Sequence, residues 1–222
     1  MIVAGHQPTY LPYLGFFDKM SKSDIFMILD DVQFNKKDFQ HRNRIRIPEG
    51  WKWLTVPIVK EGKIPINEIL INNQKINGKP VWSDTHLRII DINYNKTPYY
   101  ESYIEDLSKI YNRKHTHLAD LNLSIIQYLI KAFEIDIELV YSSKLGFTTT
   151  SSQRIADIVN SLGGDTYLSG IGGLDYLDQS VFKEIKVEYQ QFEHPMYTQR
   201  YTGFEKNMAA IDALFNVGSI PK

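Results

Sequence analysis

The chain has no cysteine among its 222 residues. This absence excludes disulfide bonds, thiolate nucleophiles and zinc-thiolate sites, and it fits a reducing compartment. The chain also has almost no excess charge, because 25 basic and 26 acidic side chains leave a formal net charge of −1. Without a positive field around the whole protein, wholesale binding of nucleic acid is not expected.

Long apolar runs and several enzyme signatures are missing as well. No apolar run approaches the roughly 20 residues that cross a bilayer, so no membrane span is predicted. The first residues, MIVAGHQPTYLP, lack the basic start and the cleavage site of a signal peptide, and a cytoplasmic location is expected. HExxH, an EF-hand loop, the P-loop and GxSxG do not occur, so the sequence indicates no metal site and no serine hydrolase.

The residues that are present favour a globular protein with many rings. Hydrophobic residues make up 43% of the chain, which includes 14 Tyr, 11 Phe and 3 Trp, and this favours an aromatic pocket or interface. The length allows a sizeable core. We predict a single α/β domain over residues 1–222, with a helical subdomain or insertion at about residues 77–133.

The start of the chain predicts strand, helix, strand. IVAG is a short buried strand that ends at His6, and a helix is predicted from Pro12 because apolar residues then recur at helical spacing. DIFMILDDVQF follows as a strand between acids, and WKWLTVPIV is a further strand after a basic segment.

The later sequence alternates in the same way. IDIELVYSS, TYLSG and IKVEYQQF predict strands. A helix between the first two is predicted to begin with a capping box of Thr150 and Gln153 and to end at Gly163 and Gly164. A last helix lies around Ile211. Alternating strands and helices predict a Rossmann-like, largely parallel sheet with helices on both faces.

The segment DKMSKSD contains KMSKS, an ATP-handling signature of one class of aminoacyl-tRNA synthetases. In those enzymes KMSKS lies far in sequence from a histidine motif, because the two motifs bind one ATP from opposite sides. Here His6 and Lys19 are joined by a single helix. We therefore interpret Lys19 and Lys22 as cations in the last turns of that helix, where they complement its dipole.

Several blocks resemble the WbqC-like family, which is found among bacterial surface-polysaccharide and O-antigen gene sets. The blocks are, in chain order, GHQPTYLPYLGFFDKMSKSDIFMILDDVQFNKKDFQHRNRI, WLTVPI, TYLSGIGGLDYLD, HPMYTQ and AAIDALFNVG. The resemblance extends over nearly the whole chain. It implies a role in making a modified cell-surface sugar.

The opening of the chain is also similar to that of pantothenate synthetase and related nucleotidylyl-transfer folds. The shared features are a strand, a histidine-containing turn, a helix and a strand that ends in DDVQF. Those enzymes form acyl-adenylates and carry two histidines in an HxGH turn. This chain has His6 alone, with Thr9 where the second histidine would fall.

Polar residues follow the first two predicted strands, where open α/β sheets place their ligands. His6 is a candidate general acid or phosphate ligand, although a hydrogen bond to loop backbone would explain it equally well. Asp30 is a candidate general base, and Gln7, Tyr10 and Asp31 are candidate substrate-binding residues. We expect one of the two acids to be functional, although a solvated turn would explain them equally well.

Two further segments supply candidate substrate-binding residues. Arg42 and Arg44 would bind phosphate through bidentate forks, unless they only protect a solvated edge strand. The glycine-rich turn after TYLSG would form an anion-binding nest of backbone N–H groups. Its candidate residues are Ser169, Gly170, Gly172, Gly173 and Tyr176.

Three polar residues after the last predicted strand suit sugar hydroxyls, although a surface turn would explain them too. They are His194, Tyr197 and Gln199. Asp212 lies among apolar residues and is predicted to be a structural, hydrogen-bonded acid.

The hypothesis that unites these features is a transferase of O-antigen (lipopolysaccharide) biosynthesis that modifies a nucleotide-linked amino sugar. Its partners would be that sugar nucleotide and an acyl or aminoacyl donor, and His6 or Asp30 would take the proton from the attacking amine. A non-catalytic nucleotide-sugar-binding or scaffold protein and an ATP-dependent adenylate-forming amide ligase are the alternatives. The sequence identifies no cofactor and leaves open whether the chain forms a homo-oligomer.

Overall fold

The computed structural model describes residues 1–59, 62–74 and 81–221 and divides the chain into two compact units. The first unit comprises Met1–Gln7, Gly15–Asp31 and Asp136–Glu193. The second comprises Pro8–Leu14, Val32–Ile135 and His194–Lys222. The organisation of the chain as a single domain stays a prediction.

The first unit is built on a five-stranded parallel sheet. Its strands are β1 (Ile2–His6), β2 (Ile25–Ile28), β5 (Glu138–Tyr141), β6 (Thr166–Ser169) and β7 (Lys186–Tyr189). They lie in the order β5-β2-β1-β6-β7, so the strand order reverses between β1 and β6. This arrangement confirms the predicted Rossmann-like α/β fold, whose ligands usually bind where the order reverses.

Helices cover both faces of this sheet. The helix α1 (Leu14–Ser21) lies on one face, where Phe16 contacts Phe26 of β2 with ring centroids 5.2 Å apart. On the other face, Ile158 of α5 (Ser151–Ser161) packs in a buried cluster with Val3 and Met27. Since successive strand residues point to opposite faces, the continuously apolar β1 and β2 fill both layers.

Some predicted boundaries differ from the observed ones. The first helix begins at Leu14 instead of Pro12, because Leu11 has a left-handed φ of 46° and Tyr13 pairs with Ala209 in an isolated bridge. Strand β2 ends at Ile28, so the acids that follow it are already outside the strand.

The start of α5 also differs from its prediction, whereas its end agrees. Thr150 occupies the N-cap position, but its side chain makes no capping bond. Gln153 instead donates a 2.7 Å hydrogen bond to Asp157, so the capping box is not formed. The helix ends at Ser161, and Gly163 follows with the left-handed φ of 74° that glycine accommodates.

The second unit combines an antiparallel hairpin with helices. The hairpin consists of β3 (Arg42–Ile47) and β4 (Gly50–Thr55), and the helices are α2 (Trp82–Tyr94), α3 (Tyr100–Asn112), α4 (Leu118–Ala132) and α6 (Ile211–Val217). Helix α3 contacts α2, α4 and α6. The helical character predicted for residues 77–133 is found from Trp82 onward, and residues 77–80 lie outside the described residues.

Aromatic side chains form much of the core of the second unit. Phe215 of α6 contacts Tyr94 of α2 and Tyr100 of α3, in both cases with ring centroids 5.4 Å apart. None of the helices that the structure describes has both the length and the apolarity needed to cross a membrane.

Candidate functional site

The carboxyl ends of the five parallel strands bring polar residues of the first unit to one edge of the sheet. His6 ends β1, Asp30 and Asp31 follow β2, Ser142 and Ser143 follow β5, Ser169 ends β6, and Gln190 follows β7. This edge includes the point between β1 and β6 where the strand order reverses. We call that point the switch point.

Lys19 of α1 reaches the switch point. Its Nζ donates a 2.7 Å hydrogen bond to the carbonyl oxygen of Gly5 in β1. A Cβ atom placed on Gly170, which follows β6, would lie 3.8 Å from the same Nζ. The amine therefore lies beside the carboxyl ends of both strands that flank the switch point.

Lys19 is a buried cation that no carboxylate neutralises within the described residues. Its residue is only 3% exposed. Burial lowers the pKa of Lys19 from 10.5 to about 8. A buried charge without an opposite partner is costly, and strongly perturbed amines concentrate at functional sites. The amine could bind an anion or, in its neutral form, accept a proton.

His6 lies on the same face of the sheet as α1. Its ring contacts Phe16 edge-on, with centroids 5.1 Å apart, and its Nδ1 lies 2.8 Å from the carbonyl oxygen of Gln7. Burial and the nearby charge of Lys19 lower the pKa of His6 from 6.5 to about 3. The ring is therefore neutral at pH 7, with Nδ1–H donating to Gln7. Nε2 makes no hydrogen bond within the described residues and is left as an acceptor.

Both acids after β2 are held by hydrogen bonds. Asp30 accepts from Ser142 Oγ at 3.2 Å and from the backbone N and Oγ of Ser143 at 3.0 and 2.7 Å. Asp31 accepts from Ser142 Oγ at 2.5 Å and pairs with Arg154 Nη2 of α5, also at 2.5 Å. These bonds join the ends of β2 and β5. The geometry favours an anchoring role for Asp30, and its role as a general base stays a prediction.

The glycine-rich turn after β6 forms a 3₁₀ helix over Ile171–Asp175. Ser169 is buried, and a Cβ on Gly173 would lie 2.1 Å from its Oγ, so packing explains that glycine without a ligand. Nothing lies within 4 Å of a Cβ placed on Gly172. Tyr176 is 69% exposed. The anion-binding role of this turn stays a prediction, which the position of Gly170 beside Lys19 supports.

The remaining candidates belong to the second unit. Tyr10 is fully buried, and its hydroxyl bonds to Tyr111 and, at 2.8 Å, to Nδ1 of His86, so it contributes to the core of this unit. Arg42 and Arg44 stack on the tryptophans of the hairpin.

Tyr197 and Gln199 bind Asp212 instead of facing outward. The Tyr197 hydroxyl donates to Asp212 Oδ2 at 2.7 Å and Gln199 Nε2 donates to the same oxygen at 2.8 Å. The Tyr94 hydroxyl donates to Oδ1 at 2.8 Å, which confirms Asp212 as a buried, hydrogen-bonded acid. Nδ1 of His194 lies 2.9 Å from the carbonyl oxygen of Pro195.

Sequence reasoning missed several polar residues at the edge of the first unit. They are Lys19, Ser142, Ser143, Arg154 and Gln190. One signal for Lys19 was available, because it lies three residues after Phe16 on the buried side of α1. In the part of the chain that the structure describes, no group of three or more His, Asp or Glu side chains is arranged to hold a metal ion.

Comparison with known proteins identifies the family of this chain. The model of the WbqC-like protein family matches residues 7–220. The chain belongs to the WbqC-like protein family. This WbqC-like protein is also 30% identical over 223 residues to the uncharacterized protein Rv1507c of Mycobacterium tuberculosis, a similarity that covers 98% of this chain and 94% of that protein. The predicted family is thereby confirmed.

Proposed function

We propose that this WbqC-like protein is a cytoplasmic transferase of bacterial surface-polysaccharide biosynthesis, which modifies a nucleotide-linked amino sugar by acyl or aminoacyl transfer. The observation that carries the proposal is Lys19, a buried amine at the switch point of a Rossmann-like sheet that no carboxylate neutralises among the residues that the structure describes. A site of this kind suits the diphosphate of a sugar nucleotide, and α/β sheets bind nucleotides at this position.

The proposed step is attack of the sugar amine on the acyl carbonyl carbon. A C–N bond forms, the bond between the acyl group and its carrier breaks, and the amine loses one proton that the leaving group finally receives. Because a bound diphosphate would hold Lys19 in its charged form, the acceptor of that proton would be Asp30, the general base that the sequence predicts. Nε2 of the neutral His6 would accept a hydrogen bond from the attacking amine, since its own pKa of about 3 makes it a weak base.

A second candidate function is ATP-dependent adenylation of an acid. It is supported by a histidine at the end of β1 in a sheet whose strands follow the order β5-β2-β1-β6-β7, although Thr9 stands where the second histidine of an HxGH turn would fall. The same pair of groups, Lys19 and His6, would then contact the phosphates of ATP. The two candidates differ in their products, because only adenylation releases pyrophosphate.

The test compares the thermal stability of the wild type, Lys19→Met and Lys22→Met. Lys22 is a matched control because it belongs to the same segment but is exposed and pairs with Asp18 at 2.8 Å. The ligands are UDP-linked amino sugars, UDP alone and ATP. A ligand at 100 times its dissociation constant stabilises a protein by about 2.7 kcal/mol.

We expect at least one UDP-linked amino sugar to stabilise the wild type and Lys22→Met, with at least tenfold weaker binding to Lys19→Met. Equal responses of the two variants would show that the switch point is not the site. Stabilisation without transfer from any acyl or aminoacyl donor would indicate a binding protein. A response to ATP with pyrophosphate release would indicate the adenylating enzyme.

A further inference from the structure

One face of the hairpin in the second unit carries arginines and exposed aromatic rings. Side chains alternate along β3 and β4, so one face presents Arg42 and Arg44 beside Trp51 and Trp53, while the other buries Ile45. Trp51 is 41% exposed and Phe39, whose ring lies 5.8 Å from that of Trp53, is 43% exposed. We call these five residues, Phe39, Arg42, Arg44, Trp51 and Trp53, the Arg–Trp face.

The guanidinium groups of this face are held in place by the indole rings. The Cζ of Arg42 lies 4.6 Å from the ring centroid of Trp53. The Cζ of Arg44 lies 5.1 Å from the ring of Trp51 and 5.7 Å from that of Trp53. Contact with the rings restricts each guanidinium, and the N–H groups that point away from the rings stay available for hydrogen bonds. Less conformational entropy is therefore lost when an anion binds.

The charges of this face are not neutralised within the described residues, where no carboxylate pairs with Arg42 or Arg44. Nη2 of Arg42 donates to the carbonyl of Lys37 at 2.8 Å, and Nη2 of Arg44 donates weakly to that of Asn207 at 3.3 Å. Nη1 of each arginine makes no hydrogen bond within the described residues. Two oriented cations therefore keep unused donors.

Arg46, the next arginine on the same strand, is used differently. It is 3% exposed, and its guanidinium donates to backbone carbonyl groups of Ile47, Gly50, Thr202 and Gly203. Its role is to hold chain segments of the second unit together. The contrast lies in the Nη groups, because those of Arg46 donate to four backbone carbonyl groups, whereas Arg42 and Arg44 each donate to one.

We propose that the Arg–Trp face binds an acidic saccharide. The C–H face of a sugar ring would pack on the electron-rich face of an indole, and a carboxylate or phosphate on that sugar would bind the guanidinium groups. The two parts of this ligand match the two parts of the face. Exposed rings favour an apolar surface on the ligand, and the two arginines, which no carboxylate pairs with among the described residues, favour an anion.

A single-stranded nucleic acid fits this face less well. Successive bases stack on platforms that can be roughly parallel, whereas the rings of Trp51 and Trp53 are inclined at 81°. Nucleic-acid binding also relies on many basic contacts along a strand, and this chain has a formal net charge of −1. A short ligand with one or two negative charges matches two arginines better.

The test uses the tryptophan fluorescence of the full chain. Four probes are titrated: an oligosaccharide of alternating glucuronic acid and N-acetylglucosamine, N-acetylglucosamine 1-phosphate, a neutral oligomer of N-acetylglucosamine, and an oligothymidylate. We expect a saturable change with one of the acidic saccharides. The first two probes distinguish a carboxylate from a phosphate, and the neutral oligomer should bind at least tenfold more weakly.

Variants locate the binding. The double variant Arg42→Ala, Arg44→Ala should weaken binding at least tenfold, while Lys52→Ala should change it less than twofold. Lys52→Ala is a matched control because it removes a cation from β4 on the opposite side of the hairpin, where Lys52 lies across from Ile45 in the strand register. Should the double variant unfold, Trp51→Ala, read by calorimetry, should show a similar loss.

Three results would overturn the proposal: no saturable binding of an acidic saccharide, equal binding by the arginine variant and Lys52→Ala, or tighter binding of the oligothymidylate or the neutral oligomer. The proposal is independent of the transferase. Its failure would leave the role of Lys19 intact, and the failure of Lys19→Met to affect nucleotide binding would leave the Arg–Trp face intact.

Discussion

Two buried ionisable side chains, Lys19 in the first unit and Asp212 in the second, differ in how the protein surrounds them. Lys19 is 3% exposed and Asp212 is 0% exposed. Asp212 accepts hydrogen bonds from Tyr94, Tyr197 and Gln199. Within the described residues, the Lys19 amine donates one hydrogen bond, to the carbonyl of Gly5, and lies 6.0 Å from the ring centroid of Phe26.

This difference separates a structural group from a candidate functional one. Burial raises the pKa of Asp212, and the three donors oppose that rise by stabilising the carboxylate. Burial lowers the pKa of Lys19 without a compensating charge. A buried charge that is fully hydrogen-bonded stabilises architecture, whereas one with unused donors is better explained by a ligand that the protein binds.

The largest effect is expected for Asp212→Ala. Removal of the carboxylate leaves two buried donors and one partly buried donor without this acceptor, and each such buried group costs about 1–3 kcal/mol. We expect the free energy of unfolding, measured in urea, to fall by roughly 4 kcal/mol. Asp212→Asn, which retains one acceptor oxygen and nearly the same volume, should lose less. A loss below that of an ordinary surface substitution would show that the network does not hold the second unit together.

We expect Lys19 to make the free energy of unfolding depend on pH. Its pKa in the folded protein, about 8, lies below the value of 10.5 in an unfolded chain. Between these pH values the unfolded state holds the proton that the folded state has lost. The contribution of Lys19 to the free energy of unfolding therefore rises with pH, by at most about 3 kcal/mol.

The measurement is the difference in unfolding free energy between the wild type and Lys19→Met from pH 7 to pH 10. We expect this difference to shift in favour of the wild type as the pH rises, and the difference between wild type and Lys22→Met to stay flat. Parallel curves for wild type and Lys19→Met would remove the contrast with Asp212.

Asp30 lies in the same unit as Lys19 but is hydrogen-bonded as Asp212 is. Substituting it tests whether the role of a buried charge depends on its hydrogen bonds or on the unit in which it lies. Asp30 is 6% exposed and accepts from Ser142 and Ser143. Asp30→Asn should lower the free energy of unfolding by about 1.5 kcal/mol. A double-mutant cycle with Ser143→Ala should show coupling, because the two residues share a contact. Additive losses, or folded Asp30→Asn protein without transfer activity, would favour the predicted catalytic role instead.

The sequence predicted secondary-structure elements better than it predicted side-chain contacts. The strand of His6, helical structure within residues 77–133 and the glycine end of α5 follow from apolar periodicity and local turn chemistry, and each is found among the described residues. The capping box at Thr150 failed although its pattern is correct, because Gln153 bonds to Asp157 in the next turn. A short motif can be satisfied by more than one neighbour.

By itself, the sequence determined the α/β class, the family and the placement of His6, Asp30 and Asp31 after strands, since these depend on patterns read over a few neighbouring residues. Only the tertiary structure decided which of these groups are already hydrogen-bonded to other parts of the protein. Asp30 meets Ser143 across 113 positions of sequence and Tyr94 meets Asp212 across 118. Helical spacing places Lys19 on the buried side of α1, but only the tertiary structure brings its amine to Gly5 of β1 and beside Gly170 after β6, because these two strands are distant in sequence and become neighbours in the folded sheet.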